Sequence, residues 1–87
     1  MYLHLGQSVM VPTSSIVGIF DLDNTTWSHR TRSFLERAEQ ENKMIVVGDD
    51  LPRSFVLCKE RGEPFVVYLT QLNTATLYKR LENDSFE

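Results

Sequence analysis

Every extended apolar run in this chain is short and is cut by a glycine, a proline or a polar cluster, so any sheet it builds must consist of brief strands. Residues 2 to 5 and 8 to 11 read as two such strands around Gly6-Gln7. Pro12 ends the second, because proline cannot donate to a strand ladder. Thr13-Ser14-Ser15 is turn-like, and Ile16 to Leu22 reads as a third strand. The period then changes: Trp27, Thr31, Phe34, Leu35 and Ala38 fall at helical spacing, which predicts a helix near residues 27 to 41 with Trp27 and Phe34 facing the core. Asn24, Thr25 or Thr26 can cap its start, and Asn42 is its stop.

The second half returns to strands. Met44 to Val47 is a short apolar run, and Gly48-Asp49-Asp50-Leu51-Pro52 is rich in breakers. Ser54 to Lys59 is extended again, Arg61-Gly62-Glu63 turns the chain, and Pro64 to Thr70 reads as its hairpin partner. A closing helix is capped by Asn73 or Thr74 and carries Leu77 and Leu81 four residues apart. The expected fold is therefore α+β: a small, mostly antiparallel sheet of five or six short strands with two helices. A sheet of this kind leaves open edges, which another copy of the same chain can complete.

With 87 residues, one domain is expected, over residues 1–81, followed by an acidic tail at 82–87 that is expected to fray. No apolar run approaches the roughly 18 residues of a membrane span, and the start lacks the basic and long apolar regions of a secretory signal. The expectation is a cytoplasmic protein that does not enter membranes. The single cysteine, Cys58, lies in an alternating apolar segment and reads as inert core. His29 has no nearby cysteine or second histidine at ligand spacing, so no zinc site, other metal site or cofactor is expected. His4, beside Tyr2 in an alternating strand, reads as a packed or interfacial histidine.

Net charge is -3, from nine Lys and Arg against twelve Asp and Glu, which runs against a nucleic-acid binder, since phosphate contacts need positive charge. Three of the acids, Glu82, Asp84 and Glu87, lie in the tail; without them the body holds nine against nine, and a local basic face is compatible with the composition.

One stretch imitates an enzyme. Phe20-Asp21-Leu22-Asp23-Asn24-Thr25 resembles the aspartate motif of haloacid-dehalogenase-like phosphatases, with Lys43 and Asp49-Asp50 resembling later elements of that group. In that family the first Asp attacks phosphorus, the second is acid and base, and Mg²⁺ assists. The letters fit, but the architecture does not. That fold needs parallel strands joined by crossovers of about 30 residues or more, and only about two dozen residues separate Asp23 from Asp49. The plainer alternative is a polar strand end and helix cap, and no catalytic residue is assigned.

A second resemblance runs in order over nearly the whole chain. It is carried by Met1-Tyr2-Leu3-His4-Leu5-Gly6, by Val9 to Pro12 leading into Ile16-Val17-Gly18-Ile19-Phe20-Asp21, and by Thr31-Arg32-Ser33-Phe34-Leu35. Pro52-Arg53-Ser54-Phe55-Val56 continues it, as does the ending Val67-Tyr68-Leu69-Thr70-Gln71-Leu72 with Thr74-Ala75-Thr76-Leu77-Tyr78-Lys79-Arg80. These pieces are similar to the RemA/RemB family of small bacterial extracellular-matrix regulators, and closer to its RemB branch. The resemblance implies a cytoplasmic, non-enzymatic homo-oligomer, ring-like, that binds DNA to control biofilm-matrix genes. Repeating a weak basic site around a ring gains from effective concentration.

The resemblance has one departure. The RemA branch is expected to carry an arginine-rich, DNA-contacting loop where this chain has Gly48-Asp49-Asp50-Leu51-Pro52-Arg53, so only Arg53 keeps a matching charge. The candidate DNA contacts are Arg53, Arg30, Arg32, Lys79 and Arg80. Each has a plainer reading. Arg53 can pair with Asp49 or Asp50, Arg30 and Arg32 can be solvated surface, and Lys79 and Arg80 can favour the dipole of the last helical turn. The second function class is an assembly module that binds protein partners, or a basic relative of the same family, without touching DNA.

Overall fold

The structure is a computed structural model that describes residues 1–22 and 29–85. Strands β1 (Tyr2–Gly6) and β2 (Val9–Pro12) precede a single 3-10 turn (Thr13–Ser15) and β3 (Ile16–Asp21). Helix α1 (His29–Gln40) follows, then β4 (Met44–Val47), β5 (Ser54–Cys58), β6 (Val66–Thr70) and helix α2 (Thr74–Ser85). This is the expected small α+β fold. The six strands form two sheets, a β1-β2 hairpin and a four-stranded sheet in the order β3-β5-β6-β4.

The hairpin turn places Gln7 and Ser8 at φ 49° and 65°, so both central residues take the left-handed conformation that matches the twist of the flanking strands. Alternation then divides the two strands. Leu3, Leu5 and Val11 point inward and are buried, while Tyr2, His4 and Met10 face outward, so His4 is an exposed residue rather than a packed one.

In the larger sheet β5 is antiparallel to both β3 and β6. Strand β4 runs parallel to β6, from Met44 opposite Val67 to Val47 opposite Thr70. Four residues of apolar sequence carry no information about the direction of their partner, so only the fold reveals this pairing.

Both faces of the sheet are covered. On one, Val47, Val56 and Cys58 pack with Leu3, Leu5 and Val11 of the hairpin and Leu77 of α2. On the other, Phe55 and Val67 pack with Leu35 and Ala38 of α1. Phe55 also stacks on Phe20, with ring centroids 4.7 Å apart. Cys58 lies in the first core as expected, and burial pushes its thiol up from the usual range.

Helix α1 ends as its sequence dictates. Asn42 adopts φ 59°, the Lys43 amide donates to the Ala38 carbonyl at 2.7 Å, and the Asn42 amide donates to that of Glu39 at 3.1 Å. This is a Schellman closure with asparagine in the left-handed position. Lys43 then accepts a hydrogen bond from the Val67 amide at 2.8 Å, which sets the start of β4 beside β6. The expected Trp27 contact and the caps at Asn24, Thr25 and Thr26 lie outside the described residues. At α2 the cap is Asn73, whose Oδ1 accepts from the Thr76 amide at 2.8 Å.

Phe34 departs from expectation. It is 39% exposed, because the buried stripe of α1 is centred on Leu35 and Ala38 and the preceding position is turned about 100° away around the helix. Helix α2 continues through Ser85, past the division expected at residue 81. Lys79 and Arg80 therefore sit in the middle of the helix, not in its last turn, and gain nothing from its dipole.

The hairpin is tied to the sheet by Thr70, which is fully buried. Its hydroxyl donates to the Leu5 carbonyl at 2.7 Å and accepts from the Leu72 amide at 3.2 Å. Replacing Thr70 with Val keeps the shape and strands both partners, so Thr70→Val is expected to lower unfolding free energy by about 1–3 kcal/mol, measured by urea denaturation. An unchanged midpoint would show that this bond does not hold the hairpin.

Candidate functional site

The strand order gives the sheet two chemically distinct ends. At one, β3, β4 and β6 finish and β5 begins; at the other, β4 and β6 begin. Arg53 belongs to the first end. Its amide donates to the Thr70 carbonyl and its carbonyl accepts from the Leu22 amide, both at 2.8 Å, so its backbone bridges the ends of β6 and β3. Its side chain is exposed.

Helix α1 runs back from this end toward Lys43 at the start of β4, with Leu35 and Ala38 packed beside Leu22, Leu69 and Phe55. The opening turn of α1, with exposed Arg30 and Arg32, thus shares an end of the sheet with Arg53. Lys79 and Arg80 do not. They lie on α2, which covers the opposite face, and Arg80 donates from Nη1 to the His4 carbonyl at 3.2 Å. The fold therefore brings three of the five candidate cations to one end and separates two.

The loop between β4 and β5 occupies that same end. Gly48 has φ +93°, and a Cβ there would collide with the end of the Gln71 side chain. Space and conformation both require glycine. In the amide orientation that satisfies the site, the Gln71 side-chain oxygen accepts from the Asp49 amide at 2.9 Å and the Asp50 amide at 2.6 Å. The loop is thereby held from below while Asp49, Asp50 and Leu51 project outward, and Leu51 is 84% exposed. Sequence reasoning missed Gln71, since nothing local connects a residue after β6 to a loop about twenty positions earlier. A signal for Leu51 existed: a lone large apolar residue between two carboxylates and a proline.

The phosphatase likeness does not survive the topology. Asp21 closes β3, an edge strand whose neighbour is antiparallel, and Asp49-Asp50 follow β4 at the opposite edge. Three strand spacings, roughly 14 Å, separate the two edges, too far for shared coordination of one ion. Asp23 lies outside the described residues. Among the described residues, no group of three or more His, Cys, Asp or Glu is gathered as metal ligands would be.

Sequence reading anticipated open edges but not their apolar character. Val17 and Val46 are each 58% exposed, and Phe20 and Ile45 are also exposed, so both outer strands of the sheet show large apolar side chains. Strand β4 carries no charged residue at all.

Geometry alone defines a small α+β module whose four-stranded sheet has, among the described residues, two apolar outer edges and a mixed-charge loop at one end. No protein-family model matches the chain. It is 33% identical, over 82 residues, to extracellular matrix regulatory protein B of Bacillus subtilis (strain 168); the match covers 94% of this chain and 91% of that protein. The chain belongs to the RemA/RemB family.

Gly48→Ala would force a disfavoured backbone conformation and displace Gln71 from the two loop amides. The expected cost is about 1–3 kcal/mol of unfolding free energy, with faster amide exchange at Asp49 and Asp50. Exchange at those two amides that matches the unmodified protein would remove Gln71 as the anchor of the loop.

Proposed function

We propose that this protein is a non-enzymatic, cytoplasmic regulator of extracellular-matrix genes that works as a self-associated assembly and contacts the DNA backbone through Arg30, Arg32 and Arg53. Family membership supports the regulatory role. The observation that carries the assembly is the pair of outer strands, β3 and β4, each of which has no strand neighbour on its outer side among the described residues and exposes apolar side chains. An edge of this kind is a template for another strand. Because the two edges differ, a contact of β3 with β4 of a second copy is head to tail, and such contacts close into rings when the rotation permits.

Repetition answers the charge objection. A few cations at the end of one sheet give weak phosphate binding, but an assembly presents them many times on one rim, where each later contact profits from the first. Lys79 and Arg80, on α2 across the sheet from α1, are left out of this reading. Strong salt dependence follows, with the logarithm of affinity falling in proportion to the number of phosphates neutralised.

A specific observation favours a second reading. Asp49 and Asp50 share the loop with Arg53, and their carboxylates oppose a polyanion approaching that end of the sheet. In this reading the assembly binds protein, including a more basic relative of the same family, and leaves DNA contact to that partner.

Light scattering is expected to give several times the single-chain mass. Val46→Lys, at a position whose side chain is already largely in water, should return the mass toward one chain without loss of secondary structure. A duplex-DNA gel shift at low salt should weaken for Arg30→Ala and Arg53→Ala, with a shallower salt slope for each. No shift at low salt would select the protein-binding reading, and a monomeric parent protein would defeat the assembly.

A further inference from the structure

The exposed Leu51 has a counterpart elsewhere on the chain. At the far end of the sheet, where β4 and β6 begin, a cavity of about 230 Å³ opens between the last turns of α1 and the segment leading into β6. Its walls are Phe34, Ala38, Pro64, Phe65 and Val67. Its rim carries Arg37 and Lys43, with Glu41 as the one acid. Beyond the rim, Lys59, whose ammonium lies 5.8 Å from the Phe65 ring centre, is balanced by Glu60 and Glu63 beside it. Cavities of about 150 Å³ lined by apolar groups take up a benzene ring, so this one admits a leucine side chain.

We propose that the Asp49-Asp50-Leu51 loop of one copy docks into this cavity on a second copy, with Leu51 seated against Phe34 and Phe65 and the two carboxylates facing Arg37 and Lys43.

Four features support that occupant. The loop cannot fold Leu51 back onto its own sheet, because Gln71 holds the Asp49 and Asp50 amides and the side chain stands out at 84% exposure. A large apolar side chain held in water on a fixed loop is the form of an interface anchor. The charges correspond at the rim itself, with acids flanking the anchor and Arg37 and Lys43 against the single acid Glu41 on the receptor. Finally, the two halves lie at opposite ends of β4: the cavity rim includes Lys43, just before the strand, and the loop begins at Gly48, just after it. A chain therefore cannot fill its own cavity, and the occupant must come from another copy. The contact joins the loop end of one sheet to the cavity end of another, distinct from the lateral pairing of β3 with β4.

This assigns the acidic loop a role that the DNA reading leaves empty. The carboxylates that repel phosphate are the groups that select the basic rim of a sister molecule.

Disulfide trapping tests the contact. Proteins carrying Asp50→Cys and Glu41→Cys, both exposed positions outside the apolar wall, are mixed under copper-phenanthroline oxidation at low salt. A mixed dimer is expected, with little linkage in either protein alone, because loop does not meet loop and rim does not meet rim. Adding Leu51→Ser to the Asp50→Cys protein should cut the trapping rate roughly tenfold or more, the loss expected of a buried anchor. Arg37→Glu with Lys43→Glu should slow it as well. Failure of the mixed pair to link, equal linkage of Asp50→Cys to itself, or indifference to Leu51→Ser would each overturn the proposal. Val46→Lys separates it from the edge-pairing reading, since that variant dissolves lateral assembly and leaves the mixed disulfide intact.

Discussion

The two inner strands of the sheet, β5 and β6, are buried on both faces, and this requirement organises the rest of the molecule. Ser54, Phe55, Val56 and Cys58 are all buried, which makes β5 a near-continuous hidden run. Such strands need a cover on each side. The chain supplies α1 for one and the β1-β2 hairpin with α2 for the other, and Thr70 locks that second cover to the sheet through the Leu5 carbonyl. Covering both faces uses both helices and the hairpin, so β3 and β4 flank the core with their outer sides uncovered by the described elements.

Much of this was legible because local rules and the fold agree. The two hairpin strands were legible from the short runs on either side of Gly6-Gln7, but not the outward side of His4, which alternates with buried Leu3 and Leu5. Asn42 was readable as a helix stop because asparagine tolerates the left-handed conformation that a Schellman closure demands, and Asn73 because its short side chain reaches the amide three residues on. What the sequence hid depends on partners distant in the chain. The parallel pairing of β4 with β6 is one instance; the grip of Gln71 on the Gly48 loop is another. Lys79 and Arg80 were misplaced relative to the end of α2 because residues 82–85 read as a polar tail, yet the helix runs through them.

The candidate cations show the same division. Charge and motif identified Arg30, Arg32, Arg53, Lys79 and Arg80 as a group, but grouping in space is a property of topology. Only the order β3-β5-β6-β4 and the return path of α1 bring the first three to one end of the sheet. The phosphatase likeness failed for a related reason. Two aspartates after an apolar strand are a local pattern, whereas catalysis in that family needs those carboxylates beside later acids, and here Asp21 and Asp49 sit at opposite edges of the sheet.

Outer strands in natural sheets are usually protected by lysine, proline, bulges or inward charges that make them poor templates. Strand β4, Met44-Ile45-Val46-Val47, has no such device along its length, and Lys43 and Gly48 flank it rather than interrupt it. In β3 the only charge is Asp21 at the very end, although a register shift between Ile16 and Gly18 loosens its pairing with β5. Leaving Val17, Phe20, Ile45 and Val46 in water invites indiscriminate association, a hazard that a sequence free to place polar residues at these positions would avoid. Their retention is understandable if the edges meet a defined partner, and a chain this small finds that partner most economically in itself. In the proposed assembly, parallel pairing of β3 with β4 of the next copy would orient every copy the same way, and cations gathered at one end of one sheet would then line a common rim.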